Sequence, residues 1–439
     1  MLFSGAMKRG EVTRSMKSRL VRLTHTIDAW PKGLTVAAIV SSVLVWALLT
    51  YLLVRAGLLS TGTTRRQFTD LFERFRDVAS VLHDGDLYAI RSGSSLNTNP
   101  PIVVLVMGPI SALGKSVGAF AWTTATVSSL VAVATICARR LSGVSTRSAA
   151  LIASLVTPGT ALLLSDPYRV VLLVGQVRVL LLFLVVMDLL AVRKERRGIL
   201  VGLASAMSLT PMVFILLIGL SAGRRAVFRC LAATAGFSLL GLFAGAAAWW
   251  RYYAVLLPTG QQLDRVLRHR SPSDAGQANL RAVFARPPLA HIPIHQTLFA
   301  VVTAVVVIAG LWIVFRVARS NLPITALMSL GFLVTIVEPE SWVHYWVWAL
   351  LGPFAAWELL PWRRSAAWGT LLFLVPMLPV SRLVAAKLGL IEQLASSYTI
   401  GAMAFLALIA LCLLRTGGVS GRDDVASSAD AGCGRLDPT

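Results

Sequence analysis

Charge is scarce in this chain, and acid is scarcer than base. Only 14% of its 439 residues are Asp, Glu, Lys or Arg, and 20 acidic residues stand against 41 basic ones. With 56% hydrophobic residues there is no polar surface to offer water, which excludes an ordinary soluble domain. Cysteine is also scarce. Cys137, Cys230, Cys412 and Cys433 show no metal or redox spacing and read as structural. A Walker-type phosphate loop and a Gly-x-Ser-x-Gly nucleophile elbow are both missing. No internal repeat is evident, which weakens an inverted-repeat transporter reading. A cleavable signal peptide is not expected, because residues 1–31 are long and basic and no small-residue cleavage site follows an early apolar core.

What the chain has in quantity is long apolar runs, at residues 34–54, 149–165, 170–192, 226–248 and 297–317. About 20 apolar residues span a bilayer core as a helix. Several such runs define a helical membrane protein, since lipid tolerates only closed backbone hydrogen bonding. The formal net charge of +21 could suggest nucleic acid, but much of it lies in short loops between apolar runs, as the positive-inside rule requires.

That rule lays the chain across the membrane. The arm with Lys8, Arg9, Arg14, Lys17, Arg19, Arg22 and Lys32 is expected in the cytoplasm. Crossings follow at residues 34–54, 117–137, 149–165 and 170–192. Residues 198–222 are flanked on both sides by basic clusters, Arg193 to Arg197 and Arg224 to Arg229. A single crossing would put one cluster outside, so a hairpin broken at Ser208-Leu209-Thr210-Pro211 is expected, with one ordinary crossing as the alternative. Further crossings at 226–248, 297–317, 323–337 and 346–360, and two beyond, bring the expectation to about 10–12 membrane segments in an all-α polytopic fold. The organisation is then a cytoplasmic basic arm at 1–33, a transmembrane domain at 34–415, and a disordered cytoplasmic tail at 416–439. Both termini are expected inside.

The consequence is chemical. The polar clusters at residues 70–101, 166–176, 251–286 and 338–344 all fall on the extracytoplasmic face, and intramembrane polar groups gathered on one face build sites. Asp70 after the first crossing suits a general base; the commoner use of such a residue is structural, with Thr69 or Asp70 as the N-cap of a helix over residues 71–82. Pro100-Pro101 suits a helix start. Gln176 suits a sugar contact or an interhelical hydrogen bond, and Arg178 a phosphate contact or a snorkelling side chain. The run from Glu338 to Trp348, with His344 among Trp342, Tyr345 and Trp346, suits either an interfacial aromatic belt or a sugar and phosphate site. His291 and His295 are separated by Pro293, so they read as a loop and metal binding is not expected.

In order along the chain, these clusters resemble glycosyltransferase family 87, over roughly residues 68–348. The matching elements are Asp70-Leu71, Gly85-Asp86-Leu87-Tyr88, and Asn99-Pro100-Pro101 with Pro109 and Leu113. They continue with Gly175-Gln176, Ser208-Leu209-Thr210-Pro211, the amide loop from Gln277 to Arg286, and Ser341 to Trp346. The departures are Ser208 for a Lys, Tyr345 for a second His, Asn99 for an aromatic, and the order Gln277-Ala278-Asn279. They bear on sugar and acceptor more than on fold.

The resemblance implies a fold of the glycosyltransferase C class, with the site in extracytoplasmic loops. The implied donor is a polyprenyl-phosphate sugar, mannose first and arabinofuranose as the alternative, with no cofactor and no metal. The implied acceptor is a glycolipid or lipoglycan, and no nucleic acid is involved. Asp70 would be catalytic. His344, Arg178, Gln176, Arg281, Arg286 and Trp342 would hold the donor, and Tyr88, Asn99, Gln277 and Asn279 would meet the acceptor or shape the loops. A lipid-linked glycan transporter or a non-catalytic envelope scaffold are the readings outside this class.

Overall fold

Segments that meet lipid must close their backbone hydrogen bonds internally. Among its described residues the computed structural model is accordingly helical, apart from one bridge between Gln277 and Trp342. It describes residues 24, 26–59, 67–83, 87–88, 99–260, 276–287, 289–360 and 364–415. Most of the basic arm, the Gly85-Asp86 turn, Asn97 and Thr98, much of the 251–286 loop, Cys433 and the C-terminal tail lie outside the described residues.

Among the described residues, six helices are long and apolar enough to cross a membrane: Lys32–Arg55, Gly114–Ser142, Thr146–Leu164, Arg224–Ala244, Gln296–Arg319 and Ile391–Leu414. Two bent pairs raise the number to eight, and Ile102–Ser111, Thr210–Ala222 and Pro323–Val337 are shorter apolar helices. The outward faces remain apolar. Val45 is 64% exposed, Ile308 70% and Phe243 81%, each on a long helix whose surface suits acyl chains rather than water. The chain is a multi-pass membrane protein.

Two breaks shape the interior. Residues 170–192, expected as one straight crossing, form two helices, Asp166–Val174 and Arg178–Ala191, bent by 120°. The bend sits at Gly175, whose φ of +77° lies in the left-handed region that favours glycine. A Cβ there would come within 2.6 Å of Leu71 Cβ, so the residue also admits a close neighbour. Residues 346–360, expected as a plain crossing, form a kinked 3-10 stretch, Val343–Leu351, followed by the helix Gly352–Leu359.

The second break is the expected hairpin. The helix Ile199–Met207 ends at Ser208, and the chain resumes as Thr210–Phe214 and Ile215–Ala222. Its return is visible in the packing. Gly198 lies against Ala226 and Cys230, and Gly202 against Cys230, Ala233 and Thr234. Rising numbers on both helices mean that Ile199–Met207 and Arg224–Leu240 run parallel, so the chain between them has come back to its starting level. The basic flanks meet there. Arg229 Nε donates to the Arg197 carbonyl at 3.1 Å, and Arg229 Nη2 to that of Lys194 at 3.3 Å.

Two carboxylates, Asp188 buried and Glu358 half-buried, secure the helix starts at that end. Asp188 accepts from the N–H groups of Gly198 at 3.0 Å and Val201 at 2.8 Å, and Glu358 from those of Ile324 at 3.2 Å and Thr325 at 2.8 Å. Each supplies, from a neighbouring segment, the acceptor that a helix N-terminus lacks.

Cysteines placed singly at Arg196 and Arg225, both exposed, should label from the same side of the membrane. Cys137, Cys230 and Cys412 are buried, so replacing Cys433 by Ser leaves a quiet background. Labelling of the two positions from opposite sides would make residues 198–222 a single crossing.

Candidate active site

The site grows from the bend at Gly175. The helix Thr69–Leu82 begins after Phe68, which is buried and left-handed at φ 53°. Phe68 N–H donates to the Leu173 carbonyl at 2.7 Å, which docks this helix on the bend. No side chain caps the helix at Phe68, and Asp70 lies inside the first turn rather than at the cap. An acidic residue there complements the helix dipole. Its carboxylate has a further use, for Gln176 Nε2 donates to Asp70 Oδ2. Two residues 106 positions apart are thus partners, and the Gln176 amide makes a hydrogen bond between the bend and the helix Thr69–Leu82, the interhelical one of its two expected uses.

Arg178 opens the next helix, Arg178–Val186, on the far side of the bend. Its guanidinium carbon lies 3.4 Å from the centre of the Tyr345 ring, a cation–π stack. Its Nη1 donates to Thr210 Oγ1 at 3.4 Å, and Thr210 donates in turn to Glu338 Oε1 at 2.9 Å. The row Arg178, Thr210, Glu338 therefore joins the bend, the broken hairpin and the end of the helix Pro323–Val337. Burial pushes the Glu338 carboxyl above the usual carboxylate range, and the positive charge of Arg178 opposes that shift. His344 is half-buried and stands edge-on to Tyr345, with ring centres 4.9 Å apart.

The amide loop braces this row from behind. Gln277 is 4% exposed and Asn279 1%. Gln277 Oε1 accepts from the Ser341 N–H at 3.2 Å, and the Ala278 N–H donates to the Ser341 carbonyl at 2.7 Å. Asn279 caps the helix Leu280–Ala285 by accepting from the Ala282 N–H at 2.7 Å, while its Nδ2 donates to the carbonyls of Glu338 and Pro339, both at 3.1 Å. Trp346 Nε1 donates to the Ala278 carbonyl at 3.0 Å. Arg286 is turned inward, donating to the carbonyls of Gln277 at 2.8 Å and Glu392 at 3.0 Å and to Ser396 Oγ at 2.8 Å. Arg281 is half-buried on the helix Leu280–Ala285. Trp342 Nε1 donates to Glu340 Oε1 at 2.8 Å.

Tyr88 is buried, donates to the Asn99 carbonyl at 2.9 Å, and stacks on Tyr252 with centroids 5.6 Å apart. Burial holds its phenol proton well above the ordinary range. Pro101 precedes the helix Ile102–Ser111 as expected. His291 closes the turn Leu289–His291, and His295 begins the helix His295–Arg319.

The structure therefore brings Asp70, Gln176 and Arg178 to one bend, sets Tyr345 and His344 beside it, and uses Gln277, Asn279 and Arg286 as internal braces. Sequence reasoning placed Glu338 in the polar run up to Trp348 but gave it no partner of its own. Its only signal was an acid ending an apolar helix, next to Pro339. It also missed the buried ion pair of Asp166 with Arg382 at 2.9 Å, to which Tyr398 adds a hydrogen bond at 3.2 Å. Those three residues, with Val343, line a small cavity and fasten the helix Asp166–Val174 to the C-terminal helices.

A membrane-embedded chain with a carboxylate and a cation on either side of a broken helix has the makings of a group-transfer enzyme. The comparisons give the class its family: the profile of glycosyltransferase family 87 matches residues 97–339, more than half of the chain. The chain belongs to that family and is a glycosyltransferase. Among curated proteins, it is 29% identical over 308 residues to a polyprenol-phosphate-mannose-dependent alpha-(1-2)-phosphatidylinositol mannoside mannosyltransferase of Mycolicibacterium smegmatis, covering 66% of this chain and 68% of the relative. The protein of the same description from Mycobacterium tuberculosis is 29% identical over 61% of this chain and 63% of its own length. A pentamannoside mannosyltransferase of Mycolicibacterium smegmatis is 31% identical over 62% and 65%. No solved structure matches.

Asn279→Ala removes a helix cap and a donor facing two carbonyls. It should lower stability by about 1–2 kcal/mol, the range for a lost cap, read as a lower unfolding temperature in detergent. An unchanged unfolding temperature would remove Asn279 from the bracing role.

Proposed function

We propose that this enzyme moves a mannosyl residue from polyprenyl-phosphate mannose to a glycolipid acceptor of the phosphatidylinositol mannoside kind. The reading includes inversion at the anomeric carbon, no metal, and a site on the extracytoplasmic face with both termini cytoplasmic. It takes residues 34–415 as the catalytic membrane domain, between a basic arm and a tail. The observation that carries it is the bend at Gly175, with Asp70 held by Gln176 on one side and Arg178 stacked on Tyr345 on the other. The printed names of the relatives supply donor and acceptor.

The chemistry follows from those placements. Asp70 takes the proton of an acceptor hydroxyl as its oxygen attacks the anomeric carbon. The bond from that carbon to the phosphate oxygen breaks, and the phosphate leaves with the electron pair. Attack opposite the leaving group converts a β-phosphate donor into an α-linkage in one step. A single departing phosphate gathers negative charge, which Arg178 meets through charge-assisted hydrogen bonds and His344 supports from beside Tyr345. Fixed cations of this kind stabilise the leaving group without a metal. Gln176 keeps the Asp70 carboxylate in a single orientation, which preorganises the base. The exposed apolar helix faces suit the prenyl chain.

The direct experiment incubates purified protein with labelled polyprenyl-phosphate mannose and a phosphatidylinositol mannoside, and reads the product by mass spectrometry. One added hexose is expected; no product from this pair, with product from polyprenyl-phosphate arabinose, would move the reading to the alternative sugar. Asp70→Asn should lower turnover by about 10²–10⁴-fold, the usual worth of a general base, while folding and donor binding persist. Asn still accepts the Gln176 hydrogen bond, so near-normal turnover would strip Asp70 of the base role.

A further inference from the structure

Glu338 has one satisfied oxygen and one orphan. Oε1 accepts from Thr210 at 2.9 Å. Oε2 is shut off from solvent and has no hydrogen-bond donor among the described residues. A buried carboxylate oxygen without a donor is costly, and such an atom in a native protein calls for an explanation. Arg178 does not fill the gap. Among the described residues no ion pair joins it to Glu338; Thr210 stands between them, accepting from Arg178 Nη1 and donating to Glu338. The guanidinium is held instead over the Tyr345 ring at 3.4 Å. The backbone around Glu338 is fixed as well, since Asn279 Nδ2 grips the carbonyls of Glu338 and Pro339. The orphan oxygen is therefore a firmly held acceptor beside the cation of the site.

We propose that Glu338 recognises the transferred sugar, with Oε2 accepting a hydrogen bond from one ring hydroxyl of the donor while Arg178 meets its phosphate. The inference rests on the proposed sugar transfer and deepens it. Burial raises the Glu338 carboxyl and the Arg178 cation beside it opposes that rise; in the ionised form Oε2 offers only an acceptor, which a sugar hydroxyl can meet as donor. Arg178 and Glu338 stand one Thr210 apart, a separation suited to a sugar phosphate whose charged and hydroxylated ends are read together. Thr210 ties the two, so that the cation and the acceptor keep a fixed spacing. A hydrogen bond to a charged group gives stronger discrimination than a neutral one, because losing its partner leaves a buried charge alone.

The test compares polyprenyl-phosphate mannose with its 2-, 3-, 4- and 6-deoxy forms, reading kcat/KM for transfer and Kd from quenching of tryptophan fluorescence. The wild-type enzyme should penalise one deoxy donor by about 10–100-fold over the others, the range for a lost charge-assisted bond. Glu338→Gln, which keeps the size and loses the charge, should shrink that penalty to a few-fold while leaving the ranking of the other donors intact. Thr210→Val, which frees Glu338 Oε1, should shrink the same penalty and serves where the Gln variant fails to fold. Equal treatment of all deoxy donors by the wild type, or a full penalty retained in a folded variant, would overturn the proposal. Wild-type binding of every donor without transfer would count against the proposed function, while the deoxy pattern in Kd would still decide the role of Glu338.

Discussion

A break in a membrane helix exposes backbone carbonyls that lipid cannot satisfy, and the bend at Gly175 is possible only because the surrounding protein satisfies them. The N–H groups of Gly175 and Gln176 both return to the Val171 carbonyl, at 2.9 and 3.0 Å, and the Leu173 carbonyl takes the Phe68 N–H at 2.7 Å. Closing the backbone at the bend and placing Asp70 are thus one event. The helix that carries the carboxylate is docked by the hydrogen bond that the bend requires. Gly175 has a neighbour where a Cβ would sit, so the docking depends on the absence of a side chain there.

The rest of the site is strung from that point. Leaving the bend in one direction, the helix Asp166–Val174 runs back to the buried pair of Asp166 and Arg382. Removing one member of such a pair leaves a buried charge without its partner, which typically costs about 3–5 kcal/mol. In the other direction, Arg178 reaches the hairpin through Thr210 and the helix end through Glu338. Four segments distant in sequence are therefore linked by side chains, each held by another. A transferase that must align a lipid phosphate, an anomeric carbon and an acceptor hydroxyl gains from such rigidity, because misplacement of the base or the cation costs rate.

Much of this was legible in the residues. Apolar run length revealed the helical membrane fold, and paired basic clusters revealed the hairpin, because both follow from local composition. Asp70, Gln176, Arg178, Thr210 and His344 could be singled out as polar residues at the ends of apolar runs. Their partnerships could not. That Gln176 meets Asp70, or that Arg178 stacks on Tyr345, depends on how segments pack. The 120° bend was hidden because Gly175 and Gln176 interrupt an apolar run too briefly to register as a break. Arg286 and Asn279, which the resemblance sets at the donor and at the acceptor or its loops, also bond inward to Ser396 and to the carbonyls of Gln277, Glu392, Glu338 and Pro339, partners that residue order does not reveal. Arg382 gave no warning, since its partner Asp166 lies 216 positions away.

The central claim is that donor and base meet across the bend at Gly175. A structure of the Asp70→Asn protein with polyprenyl-phosphate mannose bound tests it most directly. The account predicts the donor phosphate within hydrogen-bonding reach of Arg178, and the residue at position 70 on the opposite face of the anomeric carbon. A donor phosphate seated elsewhere, for instance at the cavity beside Asp166 and Arg382, with position 70 far from the sugar, would contradict it.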